Sequence, residues 1–255
     1  MNLILAIFVG LVAGWLVNYL SDVLPIQRKF TRPVCVHCGT TFGWLDYSLL
    51  RSCRECKKPR SWRTAIVLAL GPVVAVLLQI IPVPRVGYWI GLLVLTYFGV
   101  VAVIDLEHRL IMHIVSLAGA AIGLLAGSVT NGLVRTLFGG VAGLGIMLVF
   151  YLLGLVFARY RARKLQVDDG EEALGFGDVT LSGVIGLMLG WPLITTALLI
   201  GILAGGLVSL VLVLVLLALR RYESMNVFTA YGPYLLLGAT LIMFFPQVFH
   251  LFAGH

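Results

Sequence analysis

Apolar residues dominate this chain and form long continuous runs. Seven runs approach or exceed the length that crosses a bilayer, and an eighth, at 179–190, is shorter. The seven long runs are 2–20, 64–83, 88–104, 110–130, 137–157, 193–219 and 228–252. With 60% hydrophobic and 11% charged residues, against about 25% charged in a soluble domain, the chain is predicted to be an all-α polytopic membrane protein with about eight transmembrane helices.

Basic residues are divided unevenly between the two sides of this predicted topology. Of 18 Lys and Arg, nine lie in the 21–63 loop and four in 158–164, whereas Arg85 and Arg135 are alone on the opposite side. Because positive residues favour the cytoplasm, the N-terminus is predicted to lie outside and the polar loops on the cytoplasmic side. The net charge of +7 then reflects topology and contact with anionic lipid, and no nucleic-acid partner is expected.

The polar segments divide the chain into three predicted regions. Residues 1–20 form a first transmembrane helix, read as a retained helix because no small-residue cleavage site follows it. Residues 21–63 form a cytoplasmic module, and 64–255 a seven-helix membrane domain with catalytic function. The loop 158–178, first basic and then acidic, is expected to be a solvated linker. A proline kink is expected at Tyr231-Gly232-Pro233 in the last helix.

All four cysteines lie in the predicted cytoplasmic module. Two Cys-x-x-Cys pairs, Cys35 with Cys38 and Cys53 with Cys56, are separated by 14 residues. This spacing predicts a tetrahedral four-sulfur zinc site of structural type, with no open position for catalysis. Two disulfides are the alternative, disfavoured in a reducing cytosol. His37 lies between two ligands and is expected to be a bystander.

Two acidic residues lie at the ends of apolar runs. Asp105 follows Leu92–Ile104, and Asp178 precedes Val179–Leu189. Two carboxylates that meet in a poorly solvated site share a proton, so one can act as base and the other as acid. The alternatives are a helix N-cap for Asp178 and an ordinary helix-end acid for Asp105. Glu107 is a rival for the first carboxylate, but its place farther into the loop predicts that it is solvated.

The run behind Asp178 is too short to cross a membrane. From Val179 to Gly190 it spans roughly 18 Å at 1.5 Å per residue, against a hydrocarbon core of about 30 Å. Asp178 is therefore expected near the inner interface, on the same side as Asp105. Gly175 and Gly177 precede it, where bare backbone lets an extended substrate peptide approach closely.

At these positions the chain resembles the type IV prepilin peptidases, a family of polytopic aspartic proteases with a Gly-x-Gly-Asp motif. The resemblance covers most of the chain and runs in order. Its segments are Cys35, Cys38, Cys53 and Cys56; Ser61-Trp62-Arg63; Ile104-Asp105-Leu106-Glu107-His108; Gly175-Phe176-Gly177-Asp178-Val179-Thr180-Leu181; and Tyr231-Gly232-Pro233-Tyr234.

The resemblance implies a function and its site residues. Asp105 and Asp178 would be the catalytic pair, and Gly175, Gly177 and a second element, Tyr231-Gly232-Pro233, would bind substrate. The substrates would be pilin-like or pseudopilin-like precursors of pilus assembly and protein secretion, cleaved at the cytoplasmic face. Many relatives also methylate the new N-terminus with S-adenosylmethionine as cofactor.

This sequence departs from the family pattern at three places. Ile111-Met112-His113 replaces a Leu-Pro-Asp or Ile-Pro-Asn step, and Thr180 replaces a frequent lysine. Leu68 occupies the position where the family has an acidic residue, early in the second helix. In the family, that helix is implicated in methylation. The sequence therefore predicts peptidase activity with weak or absent methyl transfer.

Two other functions remain open from sequence. A Gly-Asp intramembrane protease of presenilin type would share the pair of aspartates, but the chain has no Pro-Ala-Leu element, and the cysteine module argues against it. A proton-coupled transporter would also use buried carboxylates as a proton relay. A transporter needs an ion gradient, whereas a protease works in detergent without one.

Overall fold

The computed structural model describes residues 2–81, 83, 85–165, 175–219 and 230–245. In these ranges the regular secondary structure is helical, apart from one isolated bridge between Val34 and Thr41. The helices are α1 Leu3–Gln27, α2 Trp44–Ser48, α3 Trp62–Ile80, α4 Tyr88–His108, α5 His113–Asn131, α6 Leu133–Leu165, α7 Phe176–Leu189, α8 Leu193–Ala218 and α9 Gly232–Phe244.

Six helices in the described part of the chain are long and apolar enough to cross a membrane. They are α1, α3, α4, α5, the Leu133–Phe157 part of α6, and α8, while α7 and α9 are shorter apolar helices. The two shorter helices coincide with the run predicted to be too short and with part of the last predicted run. The predicted fold class, an all-α polytopic membrane protein, is confirmed.

The first helix extends seven residues beyond its predicted end at position 20. α1 includes Asp22 and Pro25 and ends at Gln27. Asp22 is tolerated there because Arg60 and Arg63 neutralise it. Pro25 lies within the last turn, where the loss of one backbone hydrogen bond affects little of the helix.

Proline also has a different role from the one predicted in the last helix. α9 begins at Gly232, with Pro233 in its first turn, so Pro233 starts this helix and the predicted kink is wrong. A proline suits this position because the first helical N–H groups have no intrahelical partner. Of the predicted linker 158–178, α6 takes in the basic part as far as Leu165, and 166–174 lie outside the described residues.

The chain divides into two compact units, Met1–His108 and Arg109–His255. In unit 1, α1 packs against α3 and α4. The α1–α3 contact is close because glycines face each other: a Cβ on Gly10 would lie 2.6 Å from the carbonyl oxygen of Gly71. Small residues at such contacts are typical of membrane helices, where close backbone approach replaces the hydrophobic driving force.

In unit 2, α7 is the central helix. It packs against α5, α6, α8 and α9, and ten of its 14 residues are buried. Gly190, with φ 72°, follows its last residue and ends the helix. A short helix enclosed by four others presents little surface to lipid, so α7 need not match the thickness of the bilayer.

Candidate active site and metal centre

The four cysteine sulfurs converge in unit 1. Their Sγ atoms all lie within 4.8 Å of one another, with 3.7 Å between Cys35 and Cys56 and 3.5 Å between Cys38 and Cys53. A tetrahedral zinc ion with bonds of about 2.3 Å requires sulfurs about 3.8 Å apart. The four cysteines are free thiols rather than disulfides. This donor set is therefore close to the arrangement that a zinc ion requires.

The two Cys-x-x-Cys pairs have the same backbone fold. The first cysteine of each pair donates its N–H to a residue five positions on: Cys35 to Thr40 at 2.8 Å and Cys53 to Lys58 at 3.2 Å. The residue after the second cysteine has positive φ in both, at Gly39 (72°) and Lys57 (54°). Each pair is thus a tight turn that aims two sulfurs at one point.

Thr40 lies beside two of the sulfurs. Its hydroxyl oxygen is 3.0 Å from Cys38 Sγ and 3.5 Å from Cys53 Sγ. Hydrogen bonding from the Thr40 side chain is the largest cause that lowers the pKa of Cys53, to about 6, and it also lowers the pKa of Cys38. The Cys53 thiolate, the form that binds metal, is therefore favoured at neutral pH. At Cys56 a backbone hydrogen bond from Lys58 lowers the pKa, but burial and hydrogen bonds with the other cysteines outweigh it and raise this pKa to about 11.

A cleft of about 390 Å³ lies beside the metal centre within unit 1. Asp22, on the last turns of α1, accepts hydrogen bonds from Tyr47 at 2.6 Å and from Arg60 at 2.7 Å. Burial, and then the Asp22 carboxylate, raise the pKa of Tyr47, so its phenol remains a donor. Sequence reasoning did not single out this network, because its members lie far apart along the chain.

Asp105 occupies the last turn of α4 and is 4% exposed. The exposure of Glu107, two residues farther on, differs sharply: its side chain is 37% exposed and lies 3.0 Å from Arg63. The structure thus agrees with the expectation that Glu107 is the solvated carboxylate of the two. Asp105 is the buried acid at this helix end.

Asp178 is the third residue of α7 and is 8% exposed. The helix N-cap is Gly175, whose carbonyl accepts the Asp178 N–H at 3.0 Å. The cap role considered for Asp178 is therefore taken by Gly175. A carboxylate in the first turn of a helix is stabilised by the partial positive charge of the helix N-terminus.

The two glycines before Asp178 have different surroundings. Gly175 is exposed, and a Cβ placed on it would meet the Asp178 carboxylate at 3.6 Å and the Gly177 nitrogen at 3.9 Å, both ordinary contacts. Gly177 faces Ile111, since a Cβ there would lie 2.7 Å from the Ile111 Cβ. Gly175 thus leaves backbone open beside the carboxylate, and Gly177 is required for packing. Substrate binding by either glycine stays a prediction.

Tyr231, immediately before α9, belongs to the surroundings of Asp178 in unit 2. The half-buried Tyr231 phenol interacts electrostatically with the Asp178 carboxylate. Its ring also covers α8, where a Cβ on Gly205 would lie 2.7 Å from the ring. A protonated phenol therefore lies within electrostatic reach of the carboxylate, while Gly232 and Pro233 build the helix start behind it.

The structure thus brings together two groups of predicted residues. The four cysteines form one group in unit 1, and Asp178, Gly175 and Tyr231 form another in unit 2. Asp105 belongs to unit 1. Because the two carboxylates lie in different units, their approach to each other remains a prediction.

The fold and these groups define a class: a polytopic helical membrane protein with a buried acid in each unit and a tetracysteine centre. The type IV leader peptidase family matches residues 89–210, a stretch that includes both Asp105 and Asp178. The relatives described next extend this similarity to the type IV leader peptidase family over most of the chain.

Three similar proteins bear the name prepilin leader peptidase/N-methyltransferase. The protein from Aeromonas hydrophila is 29% identical over 84% of this chain and 71% of its own length. That from Burkholderia pseudomallei (strain K96243) is 27% identical over 100% and 89%, and that from Pseudomonas putida is 28% identical over 91% and 86%. No solved structure matches the chain significantly.

Proposed function

We propose that this protein is an aspartic endopeptidase that removes the leader peptide from prepilin-like precursors. The observation that carries the proposal is the pair of buried acids, Asp105 and Asp178, inside the region that matches the leader peptidase family. An unneeded acid buried near the hydrocarbon region costs a few kcal/mol, roughly 2.5–3.5 on insertion scales. Two of them in one membrane protein are best explained by chemistry.

The proposed reaction needs the two carboxylates at one scissile bond. The ionised carboxylate takes a proton from water, and the resulting hydroxide attacks the peptide carbonyl. The protonated partner donates a hydrogen bond to the developing oxyanion, and it then transfers its proton to the leaving amine as the C–N bond breaks. The base keeps the proton taken from water, so the pair still holds one proton. The pair titrates as one unit, so the proton belongs to the pair rather than to Asp105 or Asp178 alone.

Substrate access follows from the proposed orientation. With the N-terminus outside, the cysteine module and both acids face the cytoplasm of the inner membrane. A precursor whose short basic leader stays in the cytoplasm would bring its scissile bond to this level. Gly175 would let the extended peptide approach Asp178, and Tyr231 would border it. Zinc, held by Cys35, Cys38, Cys53 and Cys56, would have a structural role.

The deciding experiment mixes purified protein with a prepilin peptide in detergent and reads the products by mass. Cleavage after the leader, with no ion gradient, supports the peptidase. If the protein were instead a proton-coupled transporter, the peptide would not be cleaved. Protons would then move across the membrane of a sealed vesicle that contains the protein. If the peptide stayed intact although the protein was folded and contained zinc, the proposed function would be contradicted.

Methyl transfer is the second proposed activity, and we expect it to be weak or absent. Leu68 packs against Gly14 of α1, where a Cβ on Gly14 would lie 3.2 Å from the Leu68 Cα. The two acids that line the described cleft, Asp22 and Glu107, are already paired with arginines. The sulfonium cation of S-adenosylmethionine would therefore find little unpaired negative charge there.

The same assay tests the second activity when S-adenosylmethionine is added. The mature product is expected to keep its unmethylated mass. A stoichiometric gain of about 14 Da, one CH2 group, would show that Leu68 is no obstacle to the reaction. A Leu68→Glu variant that gains methyl transfer while peptide cleavage is unchanged would support the assigned cause.

A further inference from the structure

Asp105 depends on the placement of the last turn of α4. This turn ends the unit 1 helices, and the chain leaves the helix after His108. A helix end is the part of a helix most prone to fray, because its last carbonyls lack intrahelical partners. Something must therefore fix this end if Asp105 is to occupy one position.

Arg63 joins the α4 end to two other helices. It is the second residue of α3, its Nη2 donates to Asp22 Oδ1 on α1, and its Nε lies 3.0 Å from Glu107 Oε1 on α4. The Nε contact has ion-pair distance without hydrogen-bond alignment. The side chains of Arg63 and Asp22 are only 18% and 19% exposed, so water screens these contacts weakly.

The network continues from Asp22 into the cysteine module. Its second oxygen accepts from Tyr47 at 2.6 Å and from Arg60 at 2.7 Å. Arg60 also donates to the Tyr47 carbonyl at 2.9 Å, and its guanidinium carbon lies 3.9 Å from the centre of the Tyr47 ring. Contacts thus run from α2, inside the module, to the helix end that carries Asp105.

We propose that Asp22, Arg63 and Glu107, here called the Arg63 bridge, are positioning residues that set the place of the Asp105 carboxylate. This inference rests on the proposed peptidase function. Two acids, Asp22 and Glu107, face two arginines, so the network is close to neutral. A planar guanidinium can contact two carboxylates in fixed directions, whereas an ammonium is a single point of charge.

The matched substitution is therefore Arg63→Lys, which keeps the charge and loses the two-sided contact. We expect kcat for peptide cleavage to fall about 10-fold, KM to change less than threefold, and the pH profile of kcat to shift. Zinc content and thermal unfolding in detergent are expected to stay near those of the unmodified chain. The control is Arg54→Gln, which removes an ion pair of 2.8 Å to Asp46 in the same unit and should leave kcat unchanged.

A double-mutant cycle tests whether the bridge acts as a unit. Glu107→Gln alone should lower kcat about threefold, and Arg63→Gln alone more strongly, since it loses both contacts. If both act through one contact, the double variant will fall little below Arg63→Gln. Glu107→Gln is the conservative variant that remains informative if Arg63→Gln does not fold.

Two results would contradict the proposed positioning role of the Arg63 bridge. One is full kcat and an unchanged pH profile in both Arg63→Lys and Glu107→Gln. The other is a kcat loss that parallels loss of zinc or of folded protein, which would make the network merely structural. Failure of the proposed function is seen separately, as cleavage by the Asp105→Asn chain or no cleavage by the unmodified chain.

Discussion

Unit 1 carries its candidate acid in the last turn of a helix, whereas unit 2 carries its own in the first turn of one. Around Asp105 the neighbouring helix ends are joined by ion pairs, through Arg63 and Glu107. Asp178 lies in α7, which is enclosed by close contacts with the backbones of neighbouring helices. These contacts leave little room for larger side chains at the glycine positions. The same type of residue is thus placed by charge in one unit and by shape in the other.

This difference has an energetic consequence. Ion pairs depend on partners from distant parts of the chain, and removing one partner leaves the other partly buried and unpaired. Glycine contacts depend on the absence of a single methyl group, so they fail when any side chain is added. The surroundings of Asp105 should therefore be sensitive to loss of charge, and those of Asp178 to small increases in volume, while the cysteine module depends on its metal.

The largest expected effect comes from the acids themselves. Asp105→Asn and Asp178→Asn should each lower peptide cleavage at least 100-fold, since each removes a proton-transfer group, while expression and thermal unfolding stay near normal. The comparison is with Glu107→Gln, whose effect should be mild. Rates are measured on a prepilin peptide by product mass.

A different outcome would reassign the first carboxylate. If Glu107→Gln abolished cleavage and Asp105→Asn did not, Glu107 would be the catalytic acid of unit 1. Near-unmodified activity in either Asp→Asn chain would remove that residue from the mechanism.

Loss of the metal should break unit 1 and spare unit 2. We expect about one zinc per chain, and Cys35→Ser or a strong chelator should unfold the cysteine module, because a segment this small depends on its metal for stability. Cleavage should fall through loss of folded protein more than through loss of intrinsic rate. Elemental analysis and limited proteolysis of residues 21–63 measure the two effects.

The opposite result, disulfides in place of zinc, would contradict the metal prediction. Freshly purified protein without zinc and with two disulfides would show that the cysteines are a covalent staple. Thr40→Val is the milder companion variant, since it keeps all four sulfurs and loses the hydroxyl beside Cys38 and Cys53.

In unit 2, one added methyl group should lower the stability of the fold while leaving the zinc content unchanged. A Cβ on Gly139 of α6 would lie 2.6 Å from the Gly190 Cα, so Gly139→Ala should destabilise the fold by about 1–3 kcal/mol. Gly145, in the same helix, has open space around its Cβ position, and Gly145→Ala should stabilise by up to about 1 kcal/mol. Thermal unfolding decides between them, and zinc content should be unchanged in both. Equal effects at the two sites would show that backbone contact does not set the stability of unit 2.

The smallest expected effect on stability comes from a backbone difference between the two Cys-x-x-Cys turns of the metal centre. Gly39 adopts positive φ without strain, whereas Lys57 adopts it with a Cβ, at a cost of roughly 1 kcal/mol. Lys57→Gly should therefore stabilise the module by about 0.5–1 kcal/mol, and Lys57→Ala, which keeps the Cβ, should not. Denaturant unfolding followed by zinc release measures the difference. A gain from alanine as large as that from glycine would assign the effect to the lost charge.

Local patterns in the sequence were sufficient for much of this structure. Membrane helices and the cysteine centre follow from apolar run length and from Cys-x-x-Cys spacing, which both lie within short segments. The extension of α1 through Asp22 does not, because its neutralising partners Arg60 and Arg63 lie about forty residues away in sequence. The Arg63–Glu107 contact is missing from sequence reasoning for the same reason.

Proline shows the same limit on a smaller scale. Pro25 lies inside α1 and Pro233 begins α9, although both lie in or beside apolar runs. Which role a proline takes depends on where the helix starts, and that is fixed by contacts with other helices. Asp178 was placed more successfully, since its glycines and the apolar run behind it mark the helix start locally.

The enclosure of α7 also bears on motion. Its backbone lies against glycines of α5 and α6, such as Gly123 and Gly143, so these contacts contain few side-chain torsions that could rearrange. Amide hydrogens of α7 should accordingly be among the slowest in unit 2 to exchange with solvent. A helix of this kind cannot bend toward a substrate. Under the proposed function, the incoming peptide would itself have to unwind and adapt its backbone to a carboxylate that stays in place.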